Sequence, residues 1–169
     1  MIHSPPGVWL DIRETGDATV HATGDANVQA SGSASIQAFE NASVEATGSA
    51  TVHASGNAAV RATGSASVWA SVEATVRAFD HASVGVFDHA SVGVYDHATV
   101  RAYENATVWA FDSASVRATD NASALVFDHA SVRATGDAAV EAYDHTTVQA
   151  TSSVTVHLHS AQANLRVLP

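Results

Sequence analysis

The chain has 169 residues, 46% of them hydrophobic, which allows a single domain and argues against disorder. Its formal net charge is −10 with only seven Lys plus Arg, so it lacks the basic surface that binding to nucleic acid phosphates or anionic membranes requires. It contains no cysteine, which excludes disulfides and thiolate metal sites.

Residues 1–15 precede a long repeat and hold the largest apolar side chains of the N-terminal third, in the segment 8–12. We predict an N-terminal cap with Trp9 and Leu10 as its end contacts, because an open solenoid end exposes core side chains and strand edges. The N-terminus has no basic segment followed by an apolar run, and no stretch approaches the ~20 apolar residues of a membrane span. We therefore expect a cytoplasmic protein by default.

Residues 16–159 divide into 18 octads without insertion or deletion. In the octad 48–55, Ala50, Val52 and Ala54 occupy the third, fifth and seventh places, with polar residues between them. This period of two is typical of a strand with one buried face. The first two places hold turn residues such as Gly, Asp, Asn and Ser. Each octad is thus predicted to form one short strand and one tight corner.

Five tripeptides that begin with an aromatic residue and Asp recur in every second octad, at 79–81, 95–97, 111–113, 127–129 and 143–145. In addition, every Asn at the second place falls in the same alternate set of octads. Both patterns predict two octads per coil. The fold class is therefore an all-β, two-sheet β-solenoid of about nine 16-residue coils with an Ala-Val-Ala interior.

The repeat uses two alternative corner chemistries, and one edge changes from the first to the second between Thr63 and Phe79. Thr or Ser is followed by Gly, as in Thr63-Gly64, whereas Phe or Tyr is followed by Asp or Glu, as in Phe87-Asp88. Gly adopts a positive φ at little cost, and a corner carboxylate accepts hydrogen bonds from local N–H groups.

The end of the repeat differs from the rest, because Val154, Val156 and Leu158 replace the usual inward Ala, Val and Ala. Residues 160–169 are predicted to be a C-terminal cap or a docking tail, with Leu165 and Leu168 as end contacts. A cap predicts a monomer, whereas a docking tail predicts a dimer or a filament.

The paired octads, with small inward residues, an outward Ser or Thr and an aromatic residue once per pair, resemble the repeat of bacterial ice-nucleation proteins. The segment 102–109, Ala-Tyr-Glu-Asn-Ala-Thr-Val-Trp, is similar to their Ala-Gly-Tyr-Gly-Ser-Thr-Gln-Thr pattern, and the resemblance covers residues 16–159. It implies a solenoid, and it implies an ice-binding face on the fourth and sixth places. At the sixth place this chain instead has residues such as His21, Trp69 and Arg101.

Three columns of repeated residues are candidate sites. The hydroxyl ladder, for ice binding, comprises Thr19, Ser35, Thr51, Ser67, Ser83, Thr99, Ser115, Ser131 and Thr147. Such residues also simply suit exposed strand positions. The aromatic ladder, either a self-stabilising stack or a contact surface, comprises Phe79, Tyr95, Phe111, Phe127 and Tyr143. Carboxylate and imidazole groups that suit divalent ions occur at Asp80, His81, Asp96, His97, Asp128, His129, Asp144 and His145.

We expect those Asp and His residues to act as turn residues without metal, and we expect no cofactor. We also expect no enzyme activity, because Ser, His and Asp recur as surface columns instead of converging on a pocket. The predicted function is a structural or interaction rod whose partner is itself or another protein, with self-association through its ends or the aromatic ladder. Ice binding is the alternative. A third hypothesis is an acidic rod that mimics DNA and binds a DNA-processing enzyme.

Overall fold

The structure is a computed structural model that describes residues 2–4, 9–12 and 18–169, with only the backbone for the first two ranges. Its regular elements are all strands, and no helix occurs in these residues. The predicted all-β, two-sheet β-solenoid is confirmed. The strands are β1 Ile2–Ser4, β2 Trp9–Ile12, β3 Thr19–Ala22, β4 Asn27–Ala30, β5 Ser35–Ala38, β6 Ser43–Ala46, β7 Thr51–Ala54, β8 Ala59–Ala62, β9 Ser67–Ala70, β10 Thr75–Ala78, β11 Ser83–Val86, β12 Ser91–Val94, β13 Thr99–Ala102, β14 Thr107–Ala110, β15 Ser115–Ala118, β16 Ser123–Val126, β17 Ser131–Ala134, β18 Ala139–Ala142, β19 Thr147–Ala150, β20 Thr155–Leu158 and β21 Asn164–Val167.

Alternate strands belong to alternate sheets. The odd-numbered strands form an 11-stranded sheet and the even-numbered strands form a 10-stranded sheet. Within the repeat, each strand pairs in parallel with the strand two octads away, for example with Thr99 opposite Ser115. Equivalent octad positions therefore lie directly above one another, as two octads per coil require.

From β3 to β19, each strand occupies the fourth to seventh places of its octad, and its buried residues alternate with outward ones. The third, fifth and seventh places form the core, as in Ala98, Val100 and Ala102, which are fully buried or nearly so. In the central coil, Val86 and Val94 replace the seventh-place Ala and are also fully buried. A core this thin excludes water only because every coil covers the next one.

Strands at both ends continue the sheets with altered spacing. Ile2 pairs with Val20 and Trp9 with Asn27, so both N-terminal strands are separated from their neighbours by more than the two octads of a regular coil. At the other end, Asn164 pairs with Thr147, and this spacing also exceeds two octads. Both segments predicted as ends thus add strands to the stack. The side chains of Trp9 and Leu10 lie outside the described residues.

Candidate functional surfaces

The aromatic ladder forms a continuous stack along one edge of the solenoid. Ring centroids of successive members are 4.7–5.0 Å apart, with interplanar angles of 7–9°. The Arg61 guanidinium lies 4.4 Å from the centroid of Phe79, and the His159 ring stacks on Tyr143 at 4.4 Å. Every ring face in the ladder is therefore covered by another group of the same chain, which favours its role as a self-stabilising stack.

Tyr143 also makes a polar contact within the ladder. Its hydroxyl donates a hydrogen bond to Glu141 Oε2 over 2.9 Å. This hydrogen bond raises the pKa of the Tyr143 phenol above its ordinary value, and desolvation and the negative charge of Glu141 add to the effect. The phenol thus stays protonated and keeps donating to the carboxylate.

Corner carboxylates accept hydrogen bonds from the preceding coil. The backbone N–H of Gly64 donates to Asp80 Oδ2 at 2.9 Å, and the backbone N–H of Asp80 donates to Asp96 Oδ2 at 3.2 Å. The same contact recurs at Asp112, Asp128 and Asp144. The sequence predicted that local N–H groups would be the donors. The donor lies instead at the equivalent position one coil earlier, because stacked corners bring the two residues together.

The histidines of the predicted metal columns stack in pairs. The His81 and His97 rings are 5.6 Å apart, and the His129 and His145 rings are 5.3 Å apart, while Ser113 occupies the position between the two pairs. No cluster of three or more potential ligands is arranged to hold a metal ion within the described part of the chain. The aspartates of the same corners bind backbone N–H groups, as described above.

The hydroxyl ladder is in register along the outer face of the 11-stranded sheet, from Thr19 to Thr147. The Thr99 hydroxyl donates to Ser83 Oγ at 3.4 Å, the one side-chain hydrogen bond found between two members among the described residues. Beside the ladder, the sixth-place column of the same sheet contains the bulky side chains of Trp69 and Arg101. The hydroxyl face is therefore continuous but narrow.

The C-terminal end of the solenoid exposes apolar side chains. Leu158, Leu165 and Val167 are 43%, 39% and 63% exposed, and Leu168 is half-buried. Two of the predicted end contacts, Leu165 and Leu168, thus lie in the last strand or directly after it.

Sequence reasoning missed one feature of the opposite edge, at the corners that follow the odd-numbered strands. Val72 has a φ of 65°, and it is 48% exposed. At every other described position with a positive φ the residue is Gly, Asp or Glu. The signal in the sequence is that Ser71 is followed by Val, where the corner pattern predicts Gly.

None of the protein-family models matches the sequence, and searches of the curated proteins and of the solved structures give no match. No helix in the described residues is long and apolar enough to cross a membrane. Function is therefore argued from the geometry of the chain itself.

Proposed function

We propose that the protein is a non-enzymatic structural rod that self-associates through its C-terminal end. The observation that carries this proposal is the exposure of Leu158, Leu165 and Val167 at positions whose equivalents are core. The residues opposite them in the register are Ala142, Val148 and Ala150, which are at most 2% exposed. The side chains of the end coil thus occupy positions that are buried elsewhere, and in the described residues no coil covers them.

Strand edges at the same end support the proposal. Among the described strands, β20 is the last of one sheet and β21 is the last of the other, so each has a neighbour on one side only. Their outer N–H and C=O groups are free to pair with a strand of another molecule. A second copy of the chain would satisfy these groups and bury the apolar layer in the same contact.

The geometry of the end favours a two-fold contact. An isologous contact buries the same surface of both copies, so the apolar layer of one copy meets the identical layer of the other. Strands across such an axis run antiparallel, and the product is a closed dimer. A head-to-tail contact would continue the parallel sheets and produce filaments.

The aromatic ladder is a weaker candidate for the contact surface. Its ring faces already stack on one another or lie against Arg61 and His159, and its five rings are half-buried. Within the described part of the chain, Leu158, Leu165 and Val167 have no comparable cover. This difference in exposure favours the C-terminal end over the aromatic ladder as the contact surface.

Sedimentation velocity over a wide concentration range tests the proposal. The wild-type chain is expected to form dimers or larger species, and the double variant Leu165→Asp, Val167→Asp is expected to remain monomeric because charged groups are costly to bury. Phe39→Asp is a matched control, since Phe39 has the same exposure as Leu165 and lies far from this end. Association that survives the double variant would contradict the proposal, as would a wild-type monomer at every concentration.

Ice binding is a second candidate, favoured by the continuous register of the hydroxyl ladder. If the hydroxyl face binds ice, thermal hysteresis or a raised freezing temperature is expected for the wild type. Replacement of Ser83, Thr99 and Ser115 by Lys should abolish the effect without altering the fold, because all three side chains are exposed. Unchanged freezing of wild-type solutions would exclude this function.

A further inference from the structure

Large exposed apolar side chains form a second group, far from the C-terminal end: Phe39, Trp69 and Val72 are 39%, 44% and 48% exposed. Phe39 and Trp69 line a cavity of about 260 Å³, here called the aromatic slot, at the edge opposite the aromatic ladder, and Val72 follows a third lining residue, Ser71. The slot is lined by Phe39, His53, Ala54, Ser55, Trp69, Ala70, Ser71 and Phe87.

The slot is a gap in a second column of corner residues. Phe39, Ser55, Ser71 and Phe87 follow one another in successive coils, so two Ser residues separate two aromatic rings. Beyond the gap the column continues as a stack, with the Phe87 and Tyr103 rings 5.0 Å apart. Phe39 and Phe87 are three coils, or about 14 Å, apart at the ~4.8 Å spacing of paired strands. This gap has room for two stacked aromatic rings.

The sides of the slot also suit a flat ligand. The His53 and Trp69 rings stack at 5.1 Å with an interplanar angle of 10°, and they form one wall. The floor consists of small side chains, Ala54 and Ala70. Aromatic faces attract other rings and cations, and indole is the strongest of them for a cation.

Backbone strain at Val72 is an independent observation at this place. A β-branched residue with a positive φ is a genuine conformational outlier, and such strain persists where the surrounding structure fixes it, often at ligand sites. Val72 directly follows Ser71, which lines the slot. Its N–H donates to Asp88 Oδ2 at 3.1 Å, so the strained corner is held from the next coil.

Most of the charged side chains around the slot are acidic, although Arg101 lines a neighbouring cavity together with Trp69 and Phe87. Glu40 follows Phe39, Glu73 lies two places after Ser71, and Asp88 follows Phe87; all three are exposed. The whole chain has a net charge of −10. A positively charged ligand is thus attracted to the slot, and an anionic one is repelled.

We propose that the aromatic slot binds a planar aromatic cation, inserted between Phe39 and Phe87 and alongside Trp69. The ligand would occupy the positions that ring side chains occupy elsewhere in the corner columns. This site is separate from the C-terminal contact, and either proposal can fail without the other.

Calorimetric titration with thioflavin T, a planar benzothiazolium cation, tests the site. One dye-binding site of this kind is expected per wild-type chain. The double variant Ser55→Phe, Ser71→Phe places a ring at both open positions of the column, so it fills the slot and should weaken binding by about tenfold or more. Thr135→Phe is the matched control, because Thr135 belongs to the same column outside the slot and its substitution should leave the affinity unchanged.

Circular dichroism and thermal unfolding of both variants exclude loss of the fold as the cause of weakened binding. Equal affinity of the wild type and the double variant Ser55→Phe, Ser71→Phe would overturn the proposal. An equal loss in both Phe variants would also overturn it, because the dye would then bind elsewhere on the edge.

A neutral analogue of the dye tests the charge. The cation should bind the wild type a few-fold more tightly than the neutral compound, and Glu73→Gln should reduce that difference. Identical affinities for cation and neutral compound would contradict the cation preference.

Discussion

The backbone N–H of Asp96 donates a hydrogen bond to Asp112 Oδ2, one coil later, over 3.2 Å, and both residues have a φ of 57°. Each carboxylate thus satisfies the corner N–H of the coil before it. Successive carboxylates of this column lie about 5 Å apart and repel one another. The hydrogen bond that each accepts from a backbone N–H stabilises its negative charge and so offsets part of this repulsion. The aspartate column is therefore part of the framework of the corner.

Replacement of Asp112 by Ala should lower the free energy of unfolding by about 1 kcal/mol, because the exposed N–H of Asp96 loses its acceptor and Ala tolerates the positive φ less well than Asp. Asp112→Asn should cost less, since the amide oxygen can still accept. Ser113→Ala, at the exposed neighbouring position, is the control. Urea unfolding of the three variants measures the effect, and equal stability of Asp112→Ala and the wild type would show that solvent replaces the carboxylate fully.

Substitution of Val72 by Gly should stabilise the protein by about 1 kcal/mol, because Gly adopts the observed φ without strain. The reverse change in the same column, Gly56→Val, should be destabilising, since a Cβ at Gly56 would lie 3.0 Å from the backbone N of Glu40. Thermal unfolding of both variants checks the pair. A fall in stability for Val72→Gly would mean that the valine side chain contributes more than its conformation costs.

Thr146 is the one buried polar residue found in the described part of the chain, and its Oγ1 has no hydrogen-bond partner. Thr146→Val keeps the shape of the side chain and removes the unsatisfied hydroxyl, so it should raise the free energy of unfolding by about 1–2 kcal/mol. Thr147→Val, at the next and exposed position, should have little effect. The two changes are compared by urea unfolding, and a loss of stability in Thr146→Val would indicate that the hydroxyl is satisfied in solution.

Phe111 stacks between Tyr95 and Phe127, at 5.0 and 4.9 Å. Phe111→Ala should lower the free energy of unfolding by about 2 kcal/mol through the loss of two ring pairs, at ~1 kcal/mol for each pair. Phe39→Ala is the control, because no ring pair involving Phe39 is found among the described residues, and it should cost less. Thermal unfolding measures both variants. Equal losses of stability in Phe111→Ala and Phe39→Ala would contradict a stabilising role for ring stacking.

The topology could be predicted from the sequence because the period of two and the recurrence in every second octad each allow few arrangements. The period of two also predicts which positions are buried, and Ala98 and Val100 are examples. The end strands could not be placed, since the spacings from Ile2 to Val20 and from Thr147 to Asn164 both differ from the repeat. These spacings depend on contacts that no repeated pattern encodes.

The candidate sites were less accessible to sequence reasoning. Writing the alternate octads in columns shows Ser55 and Ser71 between Phe39 and Phe87, and this signal could have revealed the slot. The stack of His53 on Trp69 and the positive φ of Val72 depend on side-chain and backbone geometry, which the spacing does not fix. The cover of the aromatic ladder by Arg61 and His159 likewise became visible only in three dimensions.

Spin-label distance measurement tests the central proposal, self-association through the C-terminal end, most directly. The chain has no cysteine, so Arg166→Cys and Asn41→Cys each place one label at an exposed position. If two copies meet at their C-terminal ends, labels at 166 should show an intermolecular distance on the order of 20–30 Å, a few strand spacings plus the two label arms. Labels at 41 should lie about 75 Å apart, given eight coils per copy at ~4.8 Å each. A short distance for labels at 41, or no intermolecular coupling for labels at 166 at high concentration, would contradict the proposal.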